Sequence, residues 1–368
     1  RAFASYSPVL AWLGLANWLP FFWGFWGFQP YLATAQARRR VALALVAGTV
    51  PVLVTGLGQL FLGWSGPWQI LGGAVVWWMA PTGNPPGRLS GLFDYANICA
   101  AWLALSWPLL LAALLQTARK RDHQGWLPLL TVLALAIAQV AAVFLTDSRN
   151  AWGALVLAVP LVLGPASWPW LLPLLLLGLL PVLLATLPGV PGALQEPARH
   201  LVPPSIWGRL TDLNSHGHRP LAITRLSQWG TAMALIAERP WFGWGAAAFS
   251  VIYPLRTGFW HGHTHNIAID LAISHGLPVA IAVVALVLWL LIRALRRGMT
   301  QGPVFERAWW AAALVLVSLH ATDIPMYDSR INIAGWVLLA GLRCATPRKP
   351  PPRAPMRWSA ASPTASSR

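Results

Sequence analysis

Charge is scarce in this sequence. Only 10% of its 368 residues are charged, and 10 acidic side chains stand against 26 basic ones. So little charge cannot clothe a soluble protein of this length. Cysteine is nearly absent as well. Cys99 and Cys344 are the only two and are expected at opposite faces, which excludes a disulfide framework and any CxxC metal signature. No internal repeat is found.

What is present is apolar: 57% of the residues are hydrophobic. Several runs approach or exceed the roughly 18–20 residues that cross a bilayer. The fold class is therefore all-α, a polytopic helical membrane protein. About nine spans are expected, near 8–28, 41–63, 97–116, 126–145, 151–164, 168–187, 266–292, 306–321 and 331–345. The segment 68–80 is apolar but short, and reads as interfacial or re-entrant. Because it opens on Arg1 rather than Met, the sequence is expected to lack an N-terminal piece.

The net charge of +16 invites a nucleic-acid partner, but the basic residues sit in short clusters between apolar runs. That is a topology signal, and no nucleic acid is expected. If 266–292 runs inward, then Arg38–Arg40, Arg119–Arg121, Arg293–Arg297 and the tail from Arg343 all share the inner side. Four regions follow. Residues 1–188 hold N-terminal membrane helices with outer loops at 65–96 and 146–150, and 189–265 form a large outer loop carrying short helices. Residues 266–345 hold C-terminal membrane helices, and 346–368, rich in Pro, Ser and Arg, read as a disordered inner tail. Within the large loop, Arg225–Arg239 is expected to be an amphipathic helix with Leu226, Trp229, Met233 and Ile236 on one face and Pro240 ending it.

Chemistry concentrates at His261-Gly262-His263-Thr264-His265-Asn266, just before an apolar run. Asn266 suits an N-cap, which places the histidines at a helix mouth where amides and dipole favour an anion and a neutral imidazole. A metal cluster or a solvated loop histidine is the plainer reading. Arginine supplies the internal cations of the outer loops, among them Arg88, Arg149 and Arg225, and its planar fork suits phosphate oxygens. Asp323 and Asp328 flank Tyr327, as orienting acids or as partners of Arg330. Asp270, one turn into a helix, pairs an arginine, an acceptor or another helix.

The motif order resembles the bacterial O-antigen ligase and O-antigen polymerase family. Its pieces here are Arg88-Leu-Ser-Gly91-Leu-Phe93-Asp-Tyr-Ala-Asn97, Leu145-Thr-Asp-Ser148-Arg149-Asn-Ala-Trp152 and Arg225-Leu-Ser-Gln-Trp229. They continue with Glu238-Arg-Pro240-Trp-Phe-Gly243-Trp-Gly245 and His263-Thr-His265-Asn266. Ala246–Ala248, His275 and Asp94-Tyr-Ala-Asn97 depart from the usual pattern. The resemblance implies a glycosyltransferase of the bacterial inner membrane, working on the periplasmic side with an undecaprenyl-diphosphate-linked glycan as donor and lipid A–core or a second glycan as acceptor. It carries the base to His265, with His263 second, and the diphosphate to Arg149, Arg225 and, more weakly, Arg88. Asp323 and Asp270 are candidate orienting acids. No Asp-x-Asp pair stands in the outer loops to hold a metal on the diphosphate, so no cofactor and no metal are expected. A transporter related to inorganic-carbon uptake is the alternative within the same resemblance. A zinc hydrolase built on His261, His263 and His265 is a third reading.

Overall fold

The computed structural model describes residues 6–210 and 224–345. Long runs of Leu, Ala and Val become helices because in lipid every backbone polar group must find its partner inside the segment. In chain order these are α1 (Pro8–Ala16), α2 (Leu19–Phe28), α3 (Ala35–Phe61), α4 (Ala96–Gln124), α5 (Leu127–Leu145), α6 (Arg149–Leu163) and α7 (Trp168–Thr186). After them come α8 (Gly192–Leu201), α9 (Pro204–Leu210), α10 (Arg225–Glu238), α11 (Ala248–Thr257), α12 (Ile267–His275), α13 (Leu277–Arg296), α14 (Val304–Leu319) and α15 (Ser329–Arg343).

Among the described residues, six segments are long and apolar enough to cross a membrane: Pro8–Phe28, Ala35–Phe61, Ala96–His123, Leu127–Leu145, Pro165–Thr186 and Leu277–Arg296. The chain is thus an all-α, multi-pass membrane protein, with fewer full-length spans than the nine expected. The difference has local causes. α6, α14 and α15 have 15, 16 and 15 residues, short of the length that spans hydrocarbon unaided. The span expected at 266–292 is broken at Gly276, so α12 is a separate helix of 9 residues and the crossing begins at Leu277.

α14 forms the centre, packed on α4 and α6, with α3 and α5 against α4 and with α15 bridging α2, α13 and α14. Trp309 is fully buried there and donates its indole N–H to the Leu338 carbonyl at 3.0 Å. Ala, Leu and Val fill the remaining core. Two smaller clusters stand apart. One joins α7, α8 and α9, and the other joins α10, α11, α12 and the start of α13.

Hydrogen bonds sort the loops into two ends. At one end, Arg38 on α3 forms a buried pair with Glu306 on α14, and Arg39 donates to Gln116 on α4 at 2.7 and 3.0 Å. At the same end Arg307 reaches the Val162 carbonyl at 2.7 Å, while Arg293 and Arg297 cap the last carbonyls after α15. Among the described residues, the basic clusters used to infer topology therefore gather at a single end. Cys344 lies there, bonded to the Gln29 carbonyl, whereas Cys99 sits in the first turn of α4 at the other end, and both are free.

The opposite end begins with an antiparallel hairpin, β1 (Trp68–Ile70) and β2 (Val75–Trp77), with Trp68 paired to Trp77. The apolar segment 68–80, expected to be interfacial or re-entrant, takes this form. β-Branched and aromatic residues on both sides of Gly72-Gly73 favour a turn over a helix. Of the large loop, residues 211–223 lie outside the described part, and so does the 346–368 tail. The amphipathic helix expected at 225–239 is α10, ended as expected before Pro240. Its buried face differs from expectation. Gln228, Ala232, Leu235 and Ile236 are buried while Met233 is exposed, because α10 packs against α11 and α12.

Candidate active site

α12 begins as expected from Asn266. Its side chain accepts from the amides of Ala268 and Ile269 at 3.0 and 3.1 Å, while its own amide donates to the Ala321 carbonyl. The Ile267 amide donates to the His320 carbonyl, which ties the helix mouth to the segment after α14. The preceding residue, His265, has φ of +55°, a left-handed conformation that non-glycine residues rarely adopt. Such strain is retained only where the surroundings over-determine it. Here Trp229 on α10 holds the adjacent Thr264 carbonyl at 2.8 Å.

The turn delivers His265 and His263 to one carboxylate. His265 Nδ1 lies 3.1 Å from Asp323 Oδ1, and His263 Nε2 lies 3.9 Å from the same oxygen. His261 does not join them; it meets Tyr253 edge-to-face with ring centroids 5.6 Å apart. Asp323 is buried and accepts from Ile324 N–H at 2.9 Å and from Asn97 Nδ2 at 3.0 Å. Burial alone would raise its pKa. The hydrogen bond from His265 and the charges of His265 and His263 outweigh that and hold it at about 2. An ionised Asp323 can only accept, so His265 Nδ1 donates to it. The lone pair of a neutral His265 then sits on Nε2.

His263 is arranged differently. Its Nδ1 accepts the His265 backbone N–H at 3.1 Å, so a neutral ring carries its proton on Nε2 and has no lone pair left. Desolvation, then the neighbouring His265, lower its pKa to about 4, against the opposing pull of Asp323. His263 therefore stays neutral at ordinary pH. It cannot take a proton without breaking a hydrogen bond, which distinguishes it from His265.

The carboxylates are sorted as well. Asp328 caps α15 and pairs Arg330, whose guanidinium also lies 4.1 Å from the centre of the Phe93 ring. Asp270 is buried and accepts the Tyr327 hydroxyl. Burial raises its pKa to about 6, against the hydrogen bonds from Tyr327 and the Thr264 backbone. It bonds neither histidine. Of the two candidate orienting acids, Asp323 alone is hydrogen-bonded to one, among the described residues.

Two of the candidate arginines, Arg88 and Arg225, connect to the histidine–carboxylate cluster. Arg88 donates to the Thr146 carbonyl at 2.8 Å and to Asn97 Oδ1 at 2.7 Å, and Asn97 in turn donates to Asp323. Arg149 opens α6, two residues beyond Asp147, whose carbonyl also accepts from Arg88. Arg225 opens α10 and is close enough to His263 to disfavour its protonation. A cation in a first turn opposes the helix dipole, so these two positions make electrostatic sense when an anion shares them. Local sequence marks neither Asn97, beyond its place in a motif, nor Tyr327, beyond its place between two acids. Their roles depend on contacts across the fold.

The Glu238-to-Gly245 motif acts through backbone. Trp244 N–H donates to the Ile273 carbonyl at 2.7 Å, Gly245 N–H to Ser274 at 3.0 Å, and Leu277 N–H to Pro240 at 2.7 Å. This clasp satisfies the last carbonyls of α12 and holds the break before α13. A Cβ on Gly243 would lie 2.4 Å from the Ile273 oxygen, and one on Gly276 would lie 2.3 Å from the Trp241 oxygen; both have positive φ. The motif and the histidine turn therefore brace opposite ends of one short helix.

His263, His265 and Asp323 each offer a ligand atom, and these atoms lie within 4.8 Å of one another, so the trio has the spacing of a divalent-cation site. The fit is incomplete on chemistry. To bind through Nε2, His263 would have to carry its proton on Nδ1, which breaks the hydrogen bond that Nδ1 accepts from the His265 amide.

Fold and site together define a multi-pass helical membrane protein with a histidine–carboxylate cluster linked to Arg88 and Arg225. Residues 132–284, from α5 through the histidine turn into α13, match the family model described as O-antigen ligase. That stretch of the chain is thus similar to the O-antigen ligase family, which supports a glycosyltransferase-like enzyme. No curated protein compared with the chain matches it.

Proposed function

We propose that the protein moves a glycan from an undecaprenyl-diphosphate carrier to an acceptor hydroxyl, without a metal, on the periplasmic side of the bacterial inner membrane. The observation that carries this reading is the His265–Asp323 pair, which leaves Nε2 as a free base beside a helix that starts with arginine. His265 Nε2 takes the acceptor proton as the hydroxyl oxygen attacks the anomeric carbon. The bond to the diphosphate breaks, and its electron pair leaves on a phosphate oxygen. Asp323 stays ionised and stabilises the imidazolium, in the manner of other base–orienter pairs. Arg225, Arg149 and Arg88 neutralise the departing diphosphate. Base and leaving group on opposite faces of the sugar make this a single displacement with inversion.

The basic clusters at the far end favour a cytoplasmic location for that end. A cavity of about 270 Å³ runs from Asn266 and His320 between α13, α14 and α15, past Val287 and Leu338. Its nearly unbroken apolar wall suits a polyprenyl tail. The test is transfer by purified protein in proteoliposomes, with a lipid-linked glycan as donor and either lipid A–core or a second lipid-linked glycan as acceptor. The expected product carries an inverted anomeric linkage, read by NMR. Retention of configuration would refute the single displacement, and bicarbonate uptake with no transfer would move the chain to the transporter reading. The metal-like spacing of the histidine trio favours a second reading, a cation-dependent enzyme. Stoichiometric zinc and loss of activity to a chelator would establish it.

A further inference from the structure

A second cavity, of about 220 Å³, lies between α12, α1 and the Ala246-Ala247 turn. One wall is apolar and comes from Leu10 and Leu13, within the membrane-crossing segment Pro8–Phe28. The other wall carries Asp270, Ser274 and Tyr327. Tyr327 is 46% exposed although its hydroxyl is tied to Asp270, so what it presents is a ring held in fixed orientation. On its far side that ring meets His263 at 5.9 Å between centroids, and His263 meets His265 at 4.4 Å.

An anchored aromatic face beside a carboxylate and a hydroxyl is the chemistry that holds a sugar. The ring receives the apolar C–H face, and the polar groups receive hydroxyls. Charge excludes the diphosphate: among the described residues no arginine or lysine lines the cavity, and Asp270 would repel a phosphate. The leucine wall belongs to a segment apolar enough to cross the membrane, so the sugar is one carried on a lipid. We propose that this cavity is the acceptor subsite, with the terminal sugar of a lipid-borne acceptor stacked on Tyr327 and hydrogen-bonded by Asp270 and Ser274. The assignment rests on the transferase reading above and adds a separate place for each substrate. Leu271 and Trp18, which line both cavities, mark where the two lie closest.

The test combines kinetics with donor-free labelling of the full chain. Tyr327→Ala removes the stacking face, and Leu10→Trp fills the cavity from the α1 side, away from the histidines. Both are expected to raise the acceptor KM at least tenfold with donor KM unchanged, and Tyr327→Phe, which keeps the ring, recovers most of the loss. A photoreactive residue at Leu13 is expected to cross-link lipid A–core or a second lipid-linked glycan, whichever supports transfer, in the absence of donor. Unchanged acceptor KM in both variants while the wild type transfers overturns the subsite, as does failure of both glycolipids to cross-link. Cross-linking by a wild-type protein that transfers nothing would instead sink the transferase reading and leave the cavity as a glycolipid site.

Discussion

Asp323→Asn tests the proposed base most directly, because the replacement keeps shape and changes only charge and hydrogen bonding. The native carboxylate faces donors on both sides: His265 and Ile324 N–H at Oδ1, and Asn97 at Oδ2. An amide cannot serve both. With its oxygen toward Asn97, its NH₂ points at His265 Nδ1 and forces the imidazole proton onto Nε2, where the base is needed. With the oxygen toward His265, two NH₂ groups oppose each other at Asn97. In either orientation the imidazolium of the transition state loses its counter-charge. At about 4 Å and an effective dielectric near 20 that attraction is worth about 4 kcal/mol. Converted to rate, the loss is on the order of a thousandfold in kcat. The assay is initial transfer rate in proteoliposomes at saturating substrates, with folded protein quantified by size-exclusion chromatography. Asp328→Asn, which loosens Arg330 and touches neither histidine, is the control and should retain near-normal kcat. A kcat for Asp323→Asn within tenfold of wild type would refute the orienting role and the tautomer argument with it. The sign of the pH effect also follows. A carboxyl lowered to about 2 contributes stability that is complete above its ordinary value near 4 and lost as pH falls through 2, so Asp323 adds no limb to the activity profile between pH 5 and 9.

Two further expectations concern the arginine clamp and the α12 break. Arg225→Ala should raise the donor KM on the order of tenfold, with Arg225→Lys intermediate because the ammonium keeps the charge and loses the fork; titration of the lipid-linked donor checks this, and an unchanged donor KM would remove Arg225 from the diphosphate. Gly276→Ala should cost about 1–3 kcal/mol from its positive φ alone, more once the clash with the Trp241 oxygen is added, and so lower folded yield and thermal midpoint. Gly178→Ala, in open space on α7, should leave both unchanged, and equal midpoints for the two variants would contradict the clasp.

Local sequence was sufficient for what depends on solvent and short-range backbone chemistry. Apolar runs require helices in a membrane, Pro240 ends α10, Asn266 caps α12, and the basic clusters read as one face before any contact was known. The motif order, too, was legible as the signature that the 132–284 match bears out. Sequence alone left nine expected spans, and it ordered the histidines and the acids only through the family resemblance. Their separation required partners distant along the chain: His265 and Asp323 are 58 residues apart, and Asn97 and Asp323 are 226 apart. Such contacts leave no periodicity to read. Whether a carboxylate orients a base, caps a helix or anchors a tyrosine is decided by which donor the packed helices bring within 3 Å, and the tertiary structure alone makes that choice.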